Sequence, residues 1–254
     1  MIFRRKKELI LDCYTCNHYA YNFAKINHGI HFIPEWWKNT PRGEYERNTK
    51  QKLTIKNCPA IVEYYKRGLV IPMWSEVRIT LNPTDQNYDF VWESSNGTFE
   101  TPSHPTFQFE KFAKEDGLNL KIRSPWNIKC REKVMFSSSQ PIWNHRETIF
   151  DLVMLPGILD FKTQTSTNMN YFYSKSNKNV TIEFAPLTPM VILHPLSEDR
   201  KIVLRHHYIP DEKKYRSMFG ESFGMFLLDK PSLKQKEKFF EKVDELNKDE
   251  VYKI

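Results

Sequence analysis

Glycine is scarce in this chain, with eight residues in 254. That excludes a collagen-like build and makes a glycine-rich loop cradling phosphates a poor expectation. Cysteine is scarce as well: of four, only Cys13 and Cys16 are close, which fits a reducing compartment better than a disulfide framework. Long apolar runs are missing. Leu9-Ile10-Leu11 stops at Asp12, too short for a signal-peptide core and far too short to span a bilayer. There is no Gly-x-Ser-x-Gly elbow, Walker loop, dinucleotide fingerprint or His-Glu-x2-His helix, which removes the hydrolases, nucleotidases, dehydrogenases and metalloproteases that carry them. The low-hydrophobicity, high-charge signature of disorder is absent too, since 40% of residues are hydrophobic and 14% aromatic.

What is present is a globular composition, long enough for one large all-β domain or two small ones. The abundance of Lys, Asn, Tyr, Phe and Ile suggests an AT-rich genome. The net charge is +7, but 31 acidic residues are interleaved with 38 basic ones. The one basic concentration is Arg4-Arg5-Lys6-Lys7, a solvated terminus or a basic arm for phosphate or an acidic partner.

No fixed-period repeat and no low-complexity linker divides the chain. It reads as a single domain over 1–254: an N-terminal extension at 1–56, a core at 57–208, and a loop and helix at 209–254. A strand is expected at Leu9 to Tyr14, and Ile33-Pro34-Glu35-Trp36-Trp37-Lys38 reads as an anchored irregular segment. Pro59 near a start and Gly68 at a C′ position delimit one short helix. From Leu69 to Tyr208, short β-prone runs alternate with Pro, Gly, Asn and Ser, among them Asp89 to Glu93, Thr106 to Phe109, Leu118 to Arg123, Trp126 to Lys129, Val180 to Phe184, Met190 to Leu193 and Ile202 to Tyr208, the spacing of a β-sandwich or jelly roll. Ser232 and Gln235 form a capping box ahead of Leu233, Phe239, Phe240, Val243 and Leu246, which predicts an amphipathic C-terminal helix.

The segments Pro34-Glu35-Trp36-Trp37-Lys38, Cys58-Pro59-Ala60-Ile61, Pro125-Trp126-Asn127-Ile128-Lys129 and Pro156-Gly157-Ile158-Leu159-Asp160 carry a resemblance. They resemble an uncharacterised family of tailed bacteriophages and some bacteria, over roughly Ile33 to Arg200. The resemblance implies a phage-type β-sandwich and brings no catalytic residues. Where the family has a Gly-Thr-Pro turn, this chain has Pro186-Leu187-Thr188-Pro189, without the glycine.

Two constellations could hold metal. Cys13 and Cys16, followed by His28 and His31, approach zinc-finger spacing, although the histidines sit closer together than is usual and no finger core lies between the pairs. The same residues also read as strand-end cysteines and loop histidines. His145 and Glu147 with the distant His194 match the order in which a cupin-like jelly roll presents Fe(II) ligands, with Arg205 placed to hold 2-oxoglutarate. Their plain reading is a loop pair and a half-buried histidine. His206 and His207 are adjacent on a strand, so they face opposite sides and do not share a metal. Asp151, Asp160 and Glu183 lie on candidate strands and could converge, but their separation in sequence alone does not make them a pair. Tyr64-Tyr65-Lys66-Arg67 and Tyr171-Phe172-Tyr173 mix aromatic and basic character that could stack on bases, but such residues fill β cores more often.

The reading that follows is a phage-type structural or binding protein rather than an enzyme, acting through its surfaces. Its partners would be proteins, either virion subunits or copies of itself, with nucleic acid disfavoured and no membrane. Its setting would be the host cytoplasm or the virion, without signal-peptide export. No cofactor is required. Zinc and Fe(II) belong to the alternatives, a zinc-stabilised host-binding regulator and a metal-dependent oxygenase.

Overall fold

A computed structural model describes residues 8–43, 54–83, 88–95, 117–144, 152–174 and 179–220. Along the first part of the chain run β1 (Leu9–Thr15), α1 (His18–Phe23), β2 (Asn27–His28), α2 (Glu35–Asn39), α3 (Pro59–Arg67), β3 (Leu69–Pro72), β4 (Val77–Pro83) and β5 (Tyr88–Ser94). Then come β6 (Gly117–Cys130), β7 (Met135–Ser139), β8 (Leu152–Met154), β9 (Gly157–Asp160), β10 (Ser166–Ser174), β11 (Val180–Phe184), β12 (Pro189–Pro195), β13 (Ile202–Tyr208) and α4 (Glu212–Tyr215). The expected C-terminal helix, the basic residues 4–7, the β-prone run at 106–109, and His145, Glu147 and Asp151 lie outside the described residues.

The described chain is mainly β. The strands form three sheets, ordered β13-β1-β6-β10-β8, β2-β3-β12-β7-β9 and β11-β4-β5. Most pairs are antiparallel, but β1 and β13 run parallel, with Leu9 opposite Ile202 and Thr15 opposite Tyr208. Alternation explains the layering. Leu9, Leu11 and Cys13 of β1, Leu120, Ile122 and Ile128 of β6, and Met169 and Tyr171 of β10 turn to one side. There they meet Leu69 and Ile71 of β3, Val77, Ile79 and Leu81 of β4, and Val191 and Leu193 of β12 in one buried cluster drawn from all three sheets. Trp126 lies fully buried in it and donates its indole N–H to the Ala24 carbonyl at 3.1 Å, tying the segment after α1 to the core.

β6 is one strand across Ser124-Pro125, where the sequence reads as a break between two. The register of β10 against it shifts between Ser166 and Asn168, and Pro125 sits within this irregular stretch, one of the few places where a strand tolerates proline. Glu35–Asn39, expected to be irregular, is a single helical turn on Pro34, with Trp37 buried beneath it.

α3 starts on Pro59 as expected. Gly68 ends it with φ −86°, not the left-handed C′ geometry expected of it. Its role is space: a Cβ there would stand 2.4 Å from Ile192 Cδ1 and 3.1 Å from His194 Nε2. The reverse holds at Leu187. It adopts φ 67° in the turn before β12, so a leucine occupies a left-handed position of the kind that favours glycine. The Leu187 N–H bonds the Met73 carbonyl at 2.9 Å, which anchors the turn to the end of β3.

Candidate functional site

The sheet β13-β1-β6-β10-β8 has a second face, and it is polar and largely buried. Asp12 leaves β1 on this face between its neighbours Arg205 on β13 and Lys129 on β6. Arg205 donates to both carboxylate oxygens, Nε to Oδ1 at 2.7 Å and Nη2 to Oδ2 at 2.6 Å, a fork-on-fork pair. His207 Nε2 meets Oδ1 at 2.8 Å, and its ring stacks on Tyr14 with centroids 4.6 Å apart. Burial opposes ionisation of Asp12, yet the hydrogen bonds from His207 and Arg205 outweigh it and hold the carboxyl below its ordinary value. Next to this group, Tyr14, Ile209, Tyr215, Met218 and Phe219 pack together, covering one end of the face. The Tyr215 hydroxyl lies 2.6 Å from Asn127 Nδ2, and Thr165 Oγ1 donates to Asn127 Oδ1 at 3.3 Å.

Farther along β6 the same face carries Asn119, Lys121 and Arg123, opposite Phe172, Asn170 and Asn168 of β10. Asn119 and Lys121 are buried, and desolvation, with the nearby Arg123 charge, pushes the Lys121 ammonium below its ordinary value. Both amide atoms of Asn119 lack a hydrogen-bond partner, as do Asn170 Oδ1 and Ser166 Oγ on the same face. Each such orphan costs about 1–3 kcal/mol, which sets this row apart from the satisfied network around Asn127.

The residues singled out by sequence fall as follows. Cys13 lies in the inner core, where burial raises its thiol pKa, whereas Cys16 packs against the Tyr14 and Tyr215 cluster on the other side. His28 and His31 lie near enough for their charges to repel, and burial is the main cause that lowers the His28 pKa. Among the described residues, no group of three or more His, Cys, Asp or Glu is gathered to hold a metal. His194 faces α3, its Nε2 2.7 Å from the Tyr64 carbonyl and its ring against the Tyr64 ring. Arg205 is engaged by Asp12 and lies on β13, in a different sheet from His194 on β12.

His206 and His207 do take opposite faces. His206 reaches the Ile26 carbonyl at 2.9 Å and sits edge-on to Trp126. Asp160 and Glu183 belong to different sheets, and Glu183 pairs with Arg78 at 2.8 Å. Tyr65, Tyr171 and Tyr173 are buried, so their rings do not offer a stacking platform.

A second feature is apolar. Trp36 donates its indole N–H to the Trp143 carbonyl at 2.8 Å, and the two rings lie 6.3 Å apart. Asn144 fixes this junction, donating to the Phe32 carbonyl at 2.8 Å and accepting from the Tyr65 hydroxyl at 2.6 Å. Above these bonds Ile142 is 51% exposed and Trp143 36% exposed, forming an apolar ridge with Trp36.

The Asp12, Arg205 and His207 group, the Asn119 row and the Trp36–Trp143 junction were not anticipated from sequence as units. The available signals were a carboxylate inside the apolar run of β1 and an Arg-His-His inside a β-prone run. No family model matches the chain, and no match is found among curated proteins or among solved structures.

Proposed function

We propose that the chain is a phage-type structural or binding protein, a β-sandwich or jelly roll that acts through its surfaces, with other virion subunits or its own copies as partners. The carrying observation is the ridge of Trp36, Ile142 and Trp143. Two large apolar side chains stand in solvent on backbone held by Asn144, Tyr65 and the Trp36 indole. Rigid, exposed aromatic residues of this kind are enriched where subunits pack, because they bury large area at little entropic cost. The likeness of the Pro-Glu-Trp-Trp-Lys and Pro-Trp-x-Ile-Lys segments to a phage family supports the same reading.

Sedimentation velocity over a wide concentration range tests it. Self-association is expected in the native chain and is expected to fall at least tenfold in Ile142→Asp with Trp143→Ser. A native chain that stays monomeric throughout, or variants that associate equally well, would sink the self-assembly form of the proposal.

A further inference from the structure

We infer that this chain forms a domain-swapped dimer with a second copy of itself, exchanging the arm of residues 202–220 so that β13 of one copy pairs with β1 of the other. The inference goes beyond the surface reading above and does not use the tryptophan ridge.

The arm is held to the rest of the chain by contacts that a second copy supplies equally well. β13 lies at the end of its sheet and, among the described strands, pairs with β1 alone, in register from Leu9 and Ile202 to Thr15 and Tyr208. Directional contacts surround that pairing. Arg205 and His207 bond Asp12, and His206 meets the Ile26 carbonyl. The Ile209 N–H donates to the Thr15 carbonyl at 2.9 Å, and the Tyr215 hydroxyl accepts from Asn127. All of these cross from the arm to residues 12–127, so an exchange of arms remakes every one and needs no new interface. Their fixed register also makes the arm a plug for this chain's own β1, which is why the partner is a second copy.

The hinge permits the exchange. Residues 196–201 carry the chain from β12, in the sheet β2-β3-β12-β7-β9, to β13 in the other five-stranded sheet. In that turn Ser197 holds φ 60°, a left-handed backbone that disfavours a side chain, so the closed monomer carries strain that an extended hinge releases. Leu196, Ser197, Asp199 and Lys201 already face solvent, so opening the turn uncovers no core. Straightened, the hinge reaches about 20 Å, enough to deliver the arm to a neighbour seated at the same corner of the molecule. The Arg200–Glu132 pair, which clamps the turn, is remade between chains with the other contacts.

Two cysteine reporters test the exchange. Ile10 and Val203 lie opposite each other on β1 and β13, and Ile10 is 40% exposed. One chain carries Ile10→Cys and the other Val203→Cys, both with Cys16→Ser and Cys58→Ser to remove the two native thiols that are not buried. The two chains are unfolded in urea, mixed, and refolded together at increasing concentration under mild oxidation. A covalent heterodimer is expected on a non-reducing gel, its yield rising with concentration, and it should persist when Ile142→Asp and Trp143→Ser remove the ridge. Ser197→Gly should raise the concentration needed for half-maximal yield at least about tenfold, since glycine takes this backbone without strain and each dimer opens two such hinges. Refolding to monomers alone, dimers without the cross-link, or a cross-link lost with the ridge variants would overturn the inference. So would a yield that Ser197→Gly leaves unchanged.

Discussion

Replacing Asp12 by Ala should cost more stability than any other single polar substitution on the outer sheet face. The carboxylate is 3% exposed and accepts two bonds from Arg205 and one from His207, all between 2.6 and 2.8 Å. Hydrogen bonds to a charged group contribute about 1.5–3 kcal/mol each, but the cost of deletion is set mainly by what remains. Without Asp12, the Arg205 guanidinium loses its acceptor, but its side chain is 39% exposed and still reaches water, so the loss is about 2–3 kcal/mol rather than that of a stranded buried charge. That is a large fraction of the roughly 5–15 kcal/mol by which a domain is stable.

Urea denaturation followed by far-ultraviolet circular dichroism reads the effect, and Arg205→Met with the double variant completes a cycle. The double variant should be destabilised by at least about 1.5 kcal/mol less than the sum of the singles, because removing both partners leaves no orphaned charge. A loss below about 1 kcal/mol in Asp12→Ala, or strict additivity in the cycle, would refute the reasoning. The pH dependence has a fixed sign. The folded-state pKa of Asp12 lies below the unfolded value, so its contribution is present above the unfolded pKa, about 3.9, and is lost as pH falls through the folded one.

His206 should make the protein acid-sensitive in a higher window. Burial in the core lowers its pKa to about 4, so the unfolded chain takes up the proton first, and stability falls as pH drops from about 6.5 towards 4 by at most about 3 kcal/mol. His206→Gln should flatten urea midpoints across that range, and parallel curves for variant and native chain would count against the argument. Leu187→Gly should stabilise the fold by about 1 kcal/mol, raising Tm by about 2–4 °C, since it relieves a left-handed leucine in the turn before β12. An unchanged or lower Tm would show that the leucine side chain contributes more than its backbone costs.

The strand inventory was largely legible because alternation is a local signal. β1, β5, β11, β12 and β13 lie within a residue or two of the expected runs, and α3 follows from Pro59 and Gly68 at its two ends. The misses have physical reasons. Pro125 reads as a chain break, but its cost falls where the β6–β10 register is already irregular. α1 is six residues long and rests on a cap, Asn17 accepting from the Ala20 N–H at 2.9 Å, so it is too short to show a period.

The outer-face site was not legible at all. Asp12 meets Arg205 only through the parallel register of β1 and β13, and Asn119 meets Asn170 only through the β6–β10 ladder. Pairing between distant strands is a property of topology, to which residue spacing is blind. The opposite placement of His206 and His207, in contrast, needs only the two-residue period and was read correctly.

The position of β1 has a consequence for how the chain is made. This strand leaves the ribosome before either of the strands that flank it, yet it is interior to its sheet, with Tyr14 waiting for Asn127 and Leu9 for Ile202. Through most of synthesis an apolar strand therefore has both of its hydrogen-bonding edges open. Completing the sheet is the kind of long-range step that is slow and leaves nascent chains prone to aggregate, so the protein should depend on holdase chaperones until residues 202–208 emerge.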